Sequence, residues 1–238
     1  MDAPVVSLID VHAVYEGERH ATLHDITLHV QRGEQVAITG PNGSGKTTIL
    51  EVIDGLLPIT SGSVHVLGEP VSQTSHRLRS RIAYVPQNLF FDPDTPFLVR
   101  DVVLAARFGR MGHRRLPRSQ DRKCVNDALA AIGMNASSGH PIGRLSGGQQ
   151  RKVLIARALA QEADLLLLDE PTANLDPRSK EEVADLVATV RSRLDATSIV
   201  VSHEAGALLA ASSRAIAIDA GRIVEEQDAV LTTKNRRG

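Results

Sequence analysis

The stretch Gly40-Pro41-Asn42-Gly43-Ser44-Gly45-Lys46-Thr47-Thr48 decides the fold. Its spacing, G-x-x-x-x-G-K-T, is typical of a loop that cradles phosphate groups. Residues 35–39 before it are predicted to form a buried strand, and residues 49–53 after it to open a helix. Glycines let successive N–H groups point at phosphate oxygens, and the helix N-terminus adds partial positive charge. The stretch therefore predicts a nucleotide site, with a full charge from Lys46 and a Mg²⁺-ligating hydroxyl from Thr47.

Length and composition narrow the class of protein. The chain has 238 residues, enough for one large α/β domain, and 42% of them are hydrophobic. A net charge of −1 excludes a global attraction to nucleic acid or anionic lipid. Cys124 is the only cysteine, so no intramolecular disulfide can form. The sequence shows neither a signal peptide nor an apolar run near the ~18 residues of a membrane helix, so we expect any membrane role to act through a partner.

The order of predicted elements indicates an α/β fold. Partial alternation at 5–11 and 23–30 predicts half-buried antiparallel strands, and residues 98–160 are predicted to be mainly helical. The other predicted elements are strands at 64–67, 82–85, 163–169 and 197–202, helices at 178–194 and 204–211, and a closing strand pair at 214–219 and 222–226. Strands that alternate with helices are typical of a parallel sheet covered on both faces.

Two acidic residues, Asp169 and Glu170, lie at the carboxyl end of the apolar run 163–169. In open α/β sheets, ligands bind at that edge. Beside a phosphate loop, Asp169 is predicted to hold Mg²⁺ and Glu170 to polarise the water that attacks the γ-phosphate. Without the loop, the pair would be as well explained by acids that cap the next turn.

A second anion site is predicted at Leu145-Ser146-Gly147-Gly148-Gln149, which precedes a predicted helix at 150–160. A serine and two glycines at a helix start present N–H groups to an anion. The chain therefore has two phosphate-binding helix starts but only one loop that carries a lysine.

Residues 5–226 resemble the ATPase subunit of ATP-binding cassette (ABC) transporters. The matching motifs follow the family's order: Walker A at 40–47, the Q-loop at Gln87, the signature at 145–149, Walker B at 165–170, the D-loop at 173–176 and the switch histidine His203. Two departures are mild and keep the chemistry. Glu204 follows the histidine where aspartate is commoner, and Thr47-Thr48 replaces the frequent serine–threonine pair.

The resemblance implies an α/β fold: a P-loop NTPase (RecA-like) core, an antiparallel β subdomain and a helical subdomain that carries the signature. Residues 1–238 would form a single ABC ATPase domain. The core with its β subdomain would take residues 1–86 and 162–226, and the helical subdomain residues 87–161. Residues 227–238 would form a flexible tail.

The resemblance also assigns roles to residues. ATP would be bound by Tyr15, Gly40, Pro41, Asn42, Gly43, Ser44, Gly45, Lys46, Thr47, Thr48 and Gln87. The implied catalytic residues are Glu170, His203 and Lys46, and the implied Mg²⁺ ligands are Thr47, Gln87 and Asp169. Ser146, Gly147, Gly148, Gln149 and Asp176 would contact the nucleotide of a partner copy. Two copies would pair head to tail, so that ATP holds a homodimer together.

The stretch 88–112 resembles the ATPases of manganese, zinc and iron importers. This implies an integral membrane permease as a separate partner, a place on the cytoplasmic face of the cell membrane, and indirectly an extracellular or periplasmic metal-binding protein. No nucleic-acid partner is expected. The basic stretch from Arg107 to Lys123 is either a solvated face or a surface for lipid head groups or a membrane partner.

Other functions remain open at this point. The ATPase could serve another importer or an exporter. A non-transport ABC ATPase of DNA repair or chromosome organisation would carry a long coiled coil between Gln87 and the signature, and the interval of about sixty residues here lacks sustained heptads. A small-molecule kinase would have no use for residues 145–149.

Overall fold

The computed structural model describes residues 3–18, 22–71, 76–87, 91–111, 116–203 and 206–228. Its strands are β1 (Val6–Ala13), β2 (Leu23–Val30), β3 (Gln35–Thr39), β4 (Ile59–Val66), β5 (Glu69–Pro70), β6 (Ile82–Val85), β7 (Leu165–Asp169), β8 (Thr197–Val201), β9 (Arg214–Asp219) and β10 (Arg222–Asp228). Its helices are α1 (Lys46–Asp54), α2 (His76–Arg79), α3 (Val99–Ala105), α4 (Phe108–Met111), α5 (Ser119–Ala131), α6 (Gly147–Gln161), α7 (Pro177–Leu194) and α8 (Ala207–Ala210). Two 3₁₀ turns lie at Asn135–Ser137 and Ile142–Arg144. Among these helices, none has the length and apolar character that a membrane crossing requires.

The smaller sheet is antiparallel, with the strand order β2-β1-β4-β5. Val6 lies opposite Val30 and Val66, so apolar side chains share one face of the three longer strands. The register shifts after Leu8 and Ile9, where Asp10 has a positive φ of 49°. Such a bulge bends a strand and increases its twist. The half-buried antiparallel strands predicted at 5–11 and 23–30 are confirmed.

The larger sheet has the strand order β10-β9-β3-β8-β7-β6. β3 runs parallel to β8 and to β9, while β10 pairs antiparallel with β9. All residues of β7 and β8 are buried, which explains the apolar runs 165–168 and 199–201 within them. The phosphate loop follows β3, the acid pair stands at the end of β7, and His203 comes after β8. Three neighbouring strands thus lead into the candidate catalytic residues.

The first of two compact units comprises residues 1–78, 167–170 and 197–238. It holds the antiparallel sheet, the phosphate loop and the strands around β3. Gln227 and Asp228, which are predicted to lie in a flexible tail, pair with Ala215 and Arg214 in the last hairpin. Residues 229–238 lie outside the described part of the chain. The helix expected at 204–211 is shorter, since α8 covers only Ala207–Ala210, and residues 204–205 are also outside the description.

The second unit comprises residues 79–166 and 171–196. Its core packs α3, α5 and α6 together through Val99, Val103, Val125, Ala128, Leu129, Met134, Ile142, Val153, Ala156 and Ala160. This unit is wider than the helical subdomain expected at 87–161, because α7 packs against α6 and joins it. The helix predicted at 178–194 is confirmed, with Asp176 as its N-cap and Pro177 in its first turn.

Candidate functional site

The phosphate loop is held in a shape that only glycine permits at two positions. Gly40 has a φ of 145°, and a Cβ there would lie 2.1 Å from the carbonyl oxygen of Ile218. Gly45 caps α1 with a φ of 103°, and its Cβ would lie 2.8 Å from Leu23 Cδ2. No real Cβ tolerates such distances, so the loop backbone passes where side chains cannot.

Lys46, the first residue of α1, is folded onto the loop. Its Nζ donates to the carbonyl oxygen of Gly40 at 3.0 Å and to that of Pro41 at 2.7 Å, and only 5% of the residue is exposed. A buried ammonium group is costly unless hydrogen bonds compensate it, and these two carbonyls do so. The Lys46 amine is thereby held against the backbone of the loop.

Ser44 supplies an independent sign that the loop takes an anion. Its Oγ is buried and has no hydrogen-bond partner within the ranges that the structure describes. A buried hydroxyl left unpaired costs about 1–3 kcal/mol. A phosphate oxygen in the loop would satisfy it, so the residues present fit a nucleotide phosphate.

Thr47 and Asp169 bring two oxygen ligands together. Thr47 Oγ1 donates to Asp169 Oδ2 at 2.9 Å, although the residues are 122 positions apart in sequence. Asp169 is 2% exposed. Mg²⁺ binds hydroxyl, carboxylate and phosphate oxygens and needs few protein ligands when a nucleotide is present. This pair therefore fits a Mg²⁺ ion beside the phosphate loop.

Glu170 and His203 form the second pair of the first unit. The distance from His203 Nδ1 to Glu170 Oε1 is 3.0 Å, and the Glu170 side chain is far more buried than that of His203. Glu170 adopts a left-handed backbone with a φ of 45°, and its N–H donates to the carbonyl oxygen of Val201 at 3.0 Å. Such backbone strain is common at functional sites. The carboxylate can accept a proton from water, and the imidazole holds its orientation.

Tyr15 contacts the helix that begins at the phosphate loop. Its hydroxyl donates to Glu51 Oε2 at 2.6 Å and lies 3.2 Å from Thr48 Oγ1. Burial, followed by the hydrogen bond to Glu51, raises the pKa of Tyr15 to about 12. The ring is therefore fixed beside α1, while its stacking on adenine stays a prediction. No motif of the sequence includes Glu51, so its contact with Tyr15 is not predicted.

The remaining candidates lie in the second unit. Gln87 follows β6, and Ser146 caps α6 in a reciprocal capping box, accepting from the N–H of Gln149 at 3.3 Å. The Asp176 carboxylate caps α7 through the N–H of Ser179 at 3.1 Å. The Ser179 hydroxyl, and next its N–H, hold the pKa of that carboxyl below its usual range.

The structure thus brings together the catalytic and metal-binding candidates of the first unit. Lys46, Thr47, Asp169, Glu170 and His203 stand at the ends of three adjacent strands. The signature and Asp176 are also neighbours within the second unit, because a Cβ on Gly148 would lie 3.4 Å from Ser179 Oγ. The functional roles of all these residues remain predictions. Sequence reasoning missed Arg151, a 2% exposed arginine two residues after the signature.

Comparison with known proteins finds the same family at the level of a family model and of individual relatives. A family model described as "ABC transporter" matches residues 23–173. The zinc transport system ATP-binding protein TroB of Treponema pallidum is 41% identical over 76% of this chain and 66% of its own length. The manganese transport system ATP-binding protein MntB of Bacillus subtilis is 38% identical over 84% of this chain and 77% of its own length. The match thus spans slightly less than two thirds of TroB.

Solved structures of the same fold are also similar. The structure of cbiO1 from Clostridium perfringens, part of the ABC transporter complex cbiONQ, superposes with a TM-score of 0.82 at 28% identity, covering 99% of this chain and 92% of the other. A dimeric ATP-binding cassette in a post-hydrolysis state, bound to ADP and Pi, gives a TM-score of 0.78 at 27% identity, covering 94% and 98%. The predicted P-loop NTPase fold class is confirmed. The chain belongs to the ABC transporter family, as an ATPase domain.

Proposed function

We propose that the chain is the ATP-hydrolysing subunit of an importer that takes up manganese, zinc or iron through a separate membrane permease. The observation that carries this proposal is the similarity to two metal-transport ATP-binding proteins over 76% and 84% of the chain. The family match at 23–173 includes the phosphate loop, Gln87, the signature and the acid pair.

ATP binds with its phosphates in the loop 40–48. The N–H groups of the loop and the Lys46 ammonium hold the β- and γ-phosphates, and the unpaired Ser44 hydroxyl supplies a further donor. Tyr15 stacks on the adenine ring. Thr47, Asp169 and Gln87 would hold a Mg²⁺ ion, which would neutralise charge on the phosphate oxygens.

Hydrolysis depends on Glu170. Its buried carboxylate accepts a proton from the water that attacks the γ-phosphate, and a positioned base contributes about 10²–10⁴-fold to such a reaction. His203, 3.0 Å from that carboxylate, orients it and supports the γ-phosphate. Both groups lie at the ends of neighbouring buried strands, which restricts their movement.

The second anion site completes the nucleotide site of a partner copy. Gly147 and Gly148 open α6 directly after its N-cap Ser146, so the N–H groups of the two glycines and the helix dipole are available to an anion. Two copies pair head to tail, with each ATP between the phosphate loop of one and the signature of the other. ATP binding closes this homodimer and hydrolysis opens it, which drives transport.

The permease contacts the stretch after Gln87, and the chain lies on the cytoplasmic face of the membrane. Phe97 in this stretch is 58% exposed, next to the start of α3. A large apolar side chain at the surface is favourable when a partner covers it. An extracellular or periplasmic metal-binding protein delivers the ion, and no nucleic acid takes part.

Transport by the intact complex tests this function. The tagged full chain is purified from its native cells in mild detergent, its partners are identified, and the complex is reconstituted in vesicles. We expect a permease and a metal-binding protein to co-purify. ATP on the side of the chain should drive Mn²⁺, Zn²⁺ or Fe²⁺ toward that side, and Glu170→Gln should abolish the movement. Movement of the ion away from the chain, or transport of a non-metal cargo only, would overturn the proposal.

A further inference from the structure

The segment 86–91, called here the Gln87 segment, is hydrogen-bonded at both of its ends to α6, the helix that begins at the signature. At its N-terminal end, Arg151 Nη1 donates to the carbonyl oxygen of Pro86 at 2.6 Å, and Arg151 Nη2 donates to that of Gln87 at 2.7 Å. At its C-terminal end, the Gln150 side chain accepts from the N–H of Phe91 at 3.0 Å and donates to the carbonyl oxygen of Phe91 at 3.3 Å. Residues 88–90 between these anchors lie outside the described ranges.

The two side chains of α6 that hold the Gln87 segment, Gln150 and Arg151, are polar and yet buried, and their burial requires an explanation. Arg151 is 2% exposed and Gln150 is 5% exposed. Burial of a guanidinium group in a helical core costs free energy unless its hydrogen bonds are satisfied, and a methionine would fill the same space without that cost. The planar guanidinium offers two parallel N–H donors, which suit two successive carbonyl oxygens of a loop. The bonds to Pro86 and Gln87 therefore account for an arginine at this position.

Gln150 connects the same segment to the signature itself. Besides Phe91, its amide donates to the carbonyl oxygen of Leu145 at 3.2 Å, one residue before the N-cap Ser146. One side chain thus joins the end of the Gln87 segment to the residue that precedes the signature turn. The main chain of Gln87 and that of Phe91 cannot shift without breaking these bonds or moving the first turn of α6.

We propose that Arg151 is a positioning residue for ATP hydrolysis. It fixes the main chain of Gln87 on the first turns of α6, so that Gln87 and the signature of one subunit move as a unit. This inference rests on the proposed function, in which Gln87 serves the nucleotide of its own copy and Ser146 the nucleotide of the partner. The inference adds Arg151 to the residues of the proposed function, as a residue that acts through Gln87 and does not contact ATP.

The test compares Arg151→Met, which removes the donors and keeps the volume, with Arg157→Met as a matched control. Arg157 lies six residues further along α6, and its Nη2 donates at 3.3 Å to the carbonyl oxygen of Tyr84 in β6, outside the Gln87 segment. We expect Arg151→Met to lower kcat for ATP about tenfold, with an unchanged Kd of the monomer for ATP. Arg157→Met should leave kcat within about twofold. Arg151→Lys, which can reach one carbonyl, should recover part of the loss.

A double-mutant cycle with Gln87→Ala separates positioning from a general loss of structure, with kcat measured at 25 °C on samples whose thermal unfolding is also recorded. If Arg151 acts through Gln87, the double variant should be no slower than Gln87→Ala alone, because without the Gln87 amide there is no side chain left for Arg151 to position. Fully additive losses, or an equal loss in Arg157→Met, would overturn the inference. An unchanged kcat in Gln87→Ala would instead contradict the proposed role of Gln87, and with it the basis of this inference.

Discussion

The Glu170→Gln variant should bind Mg-ATP normally yet lose hydrolysis by about 10²–10⁴-fold, and it should accumulate as a dimer. Glutamine keeps the size of the side chain and its hydrogen bond to His203, but it cannot accept a proton from water. Because ATP closes the homodimer and hydrolysis opens it, a variant that cannot hydrolyse stays closed. Light scattering after gel filtration with Mg-ATP, together with phosphate release, measures both effects.

The backbone at Glu170 makes glutamine the appropriate substitution. The residue has a φ of 45° and donates its N–H to Val201 at the end of β8, so a change of backbone would disturb the neighbouring strand as well. Glu181→Gln on the exposed face of α7 removes the same charge elsewhere and should hydrolyse ATP at the normal rate. A Glu170→Gln sample that remains monomeric with Mg-ATP would count against the proposed cycle.

The Ser146→Arg variant should lose ATP hydrolysis by about 10²-fold or more, while the isolated monomer binds ATP with nearly normal affinity. Ser146 caps α6 and presents its N-terminus to an anion, and the arginine side chain would occupy the space that the partner's phosphates need. The nucleotide of the same copy is held by the phosphate loop, so its binding is spared. Fluorescent-nucleotide titration at low protein concentration and steady-state hydrolysis at high concentration separate the two quantities.

Two controls distinguish the loss of the anion site from the loss of the helix cap. Ser192→Arg introduces the same side chain at an exposed position near the end of α7 and should be nearly silent. Ser146→Asn keeps a good N-cap residue. Its free energy of unfolding should therefore exceed that of Ser146→Arg by the contribution of an N-cap, about 1 kcal/mol. A monomer of Ser146→Arg that binds ATP as poorly as a phosphate-loop variant would refute a site shared between copies.

The local structure around the motifs could be predicted from the sequence, because each motif lies in a segment whose conformation is set by nearby residues. The loop 40–48, the acid pair and the caps Ser146 and Asp176 are of this kind. Even the contact of Thr47 with Asp169 could be anticipated, since both follow strands of one sheet.

Features that depend on distant partners could not be predicted from the sequence. β4 was expected at 64–67 but covers Ile59–Val66, because pairing with β1 extends it through Ser61 and Gly62. Gly62 faces the bulge of β1, where a Cβ would lie 2.4 Å from the carbonyl oxygen of Asp10. Arg151 and Glu51 lie in ordinary helical sequence, and only their tertiary contacts with Gln87 and Tyr15 mark them as parts of the site.

The shared nucleotide site is tested most directly by a crystal structure of the Glu170→Gln variant with Mg-ATP. The proposed function predicts a two-fold dimer in which each triphosphate contacts Lys46 of one copy and Ser146 of the other. A structure in which Lys46 and Ser146 of the same polypeptide contact one triphosphate would contradict it.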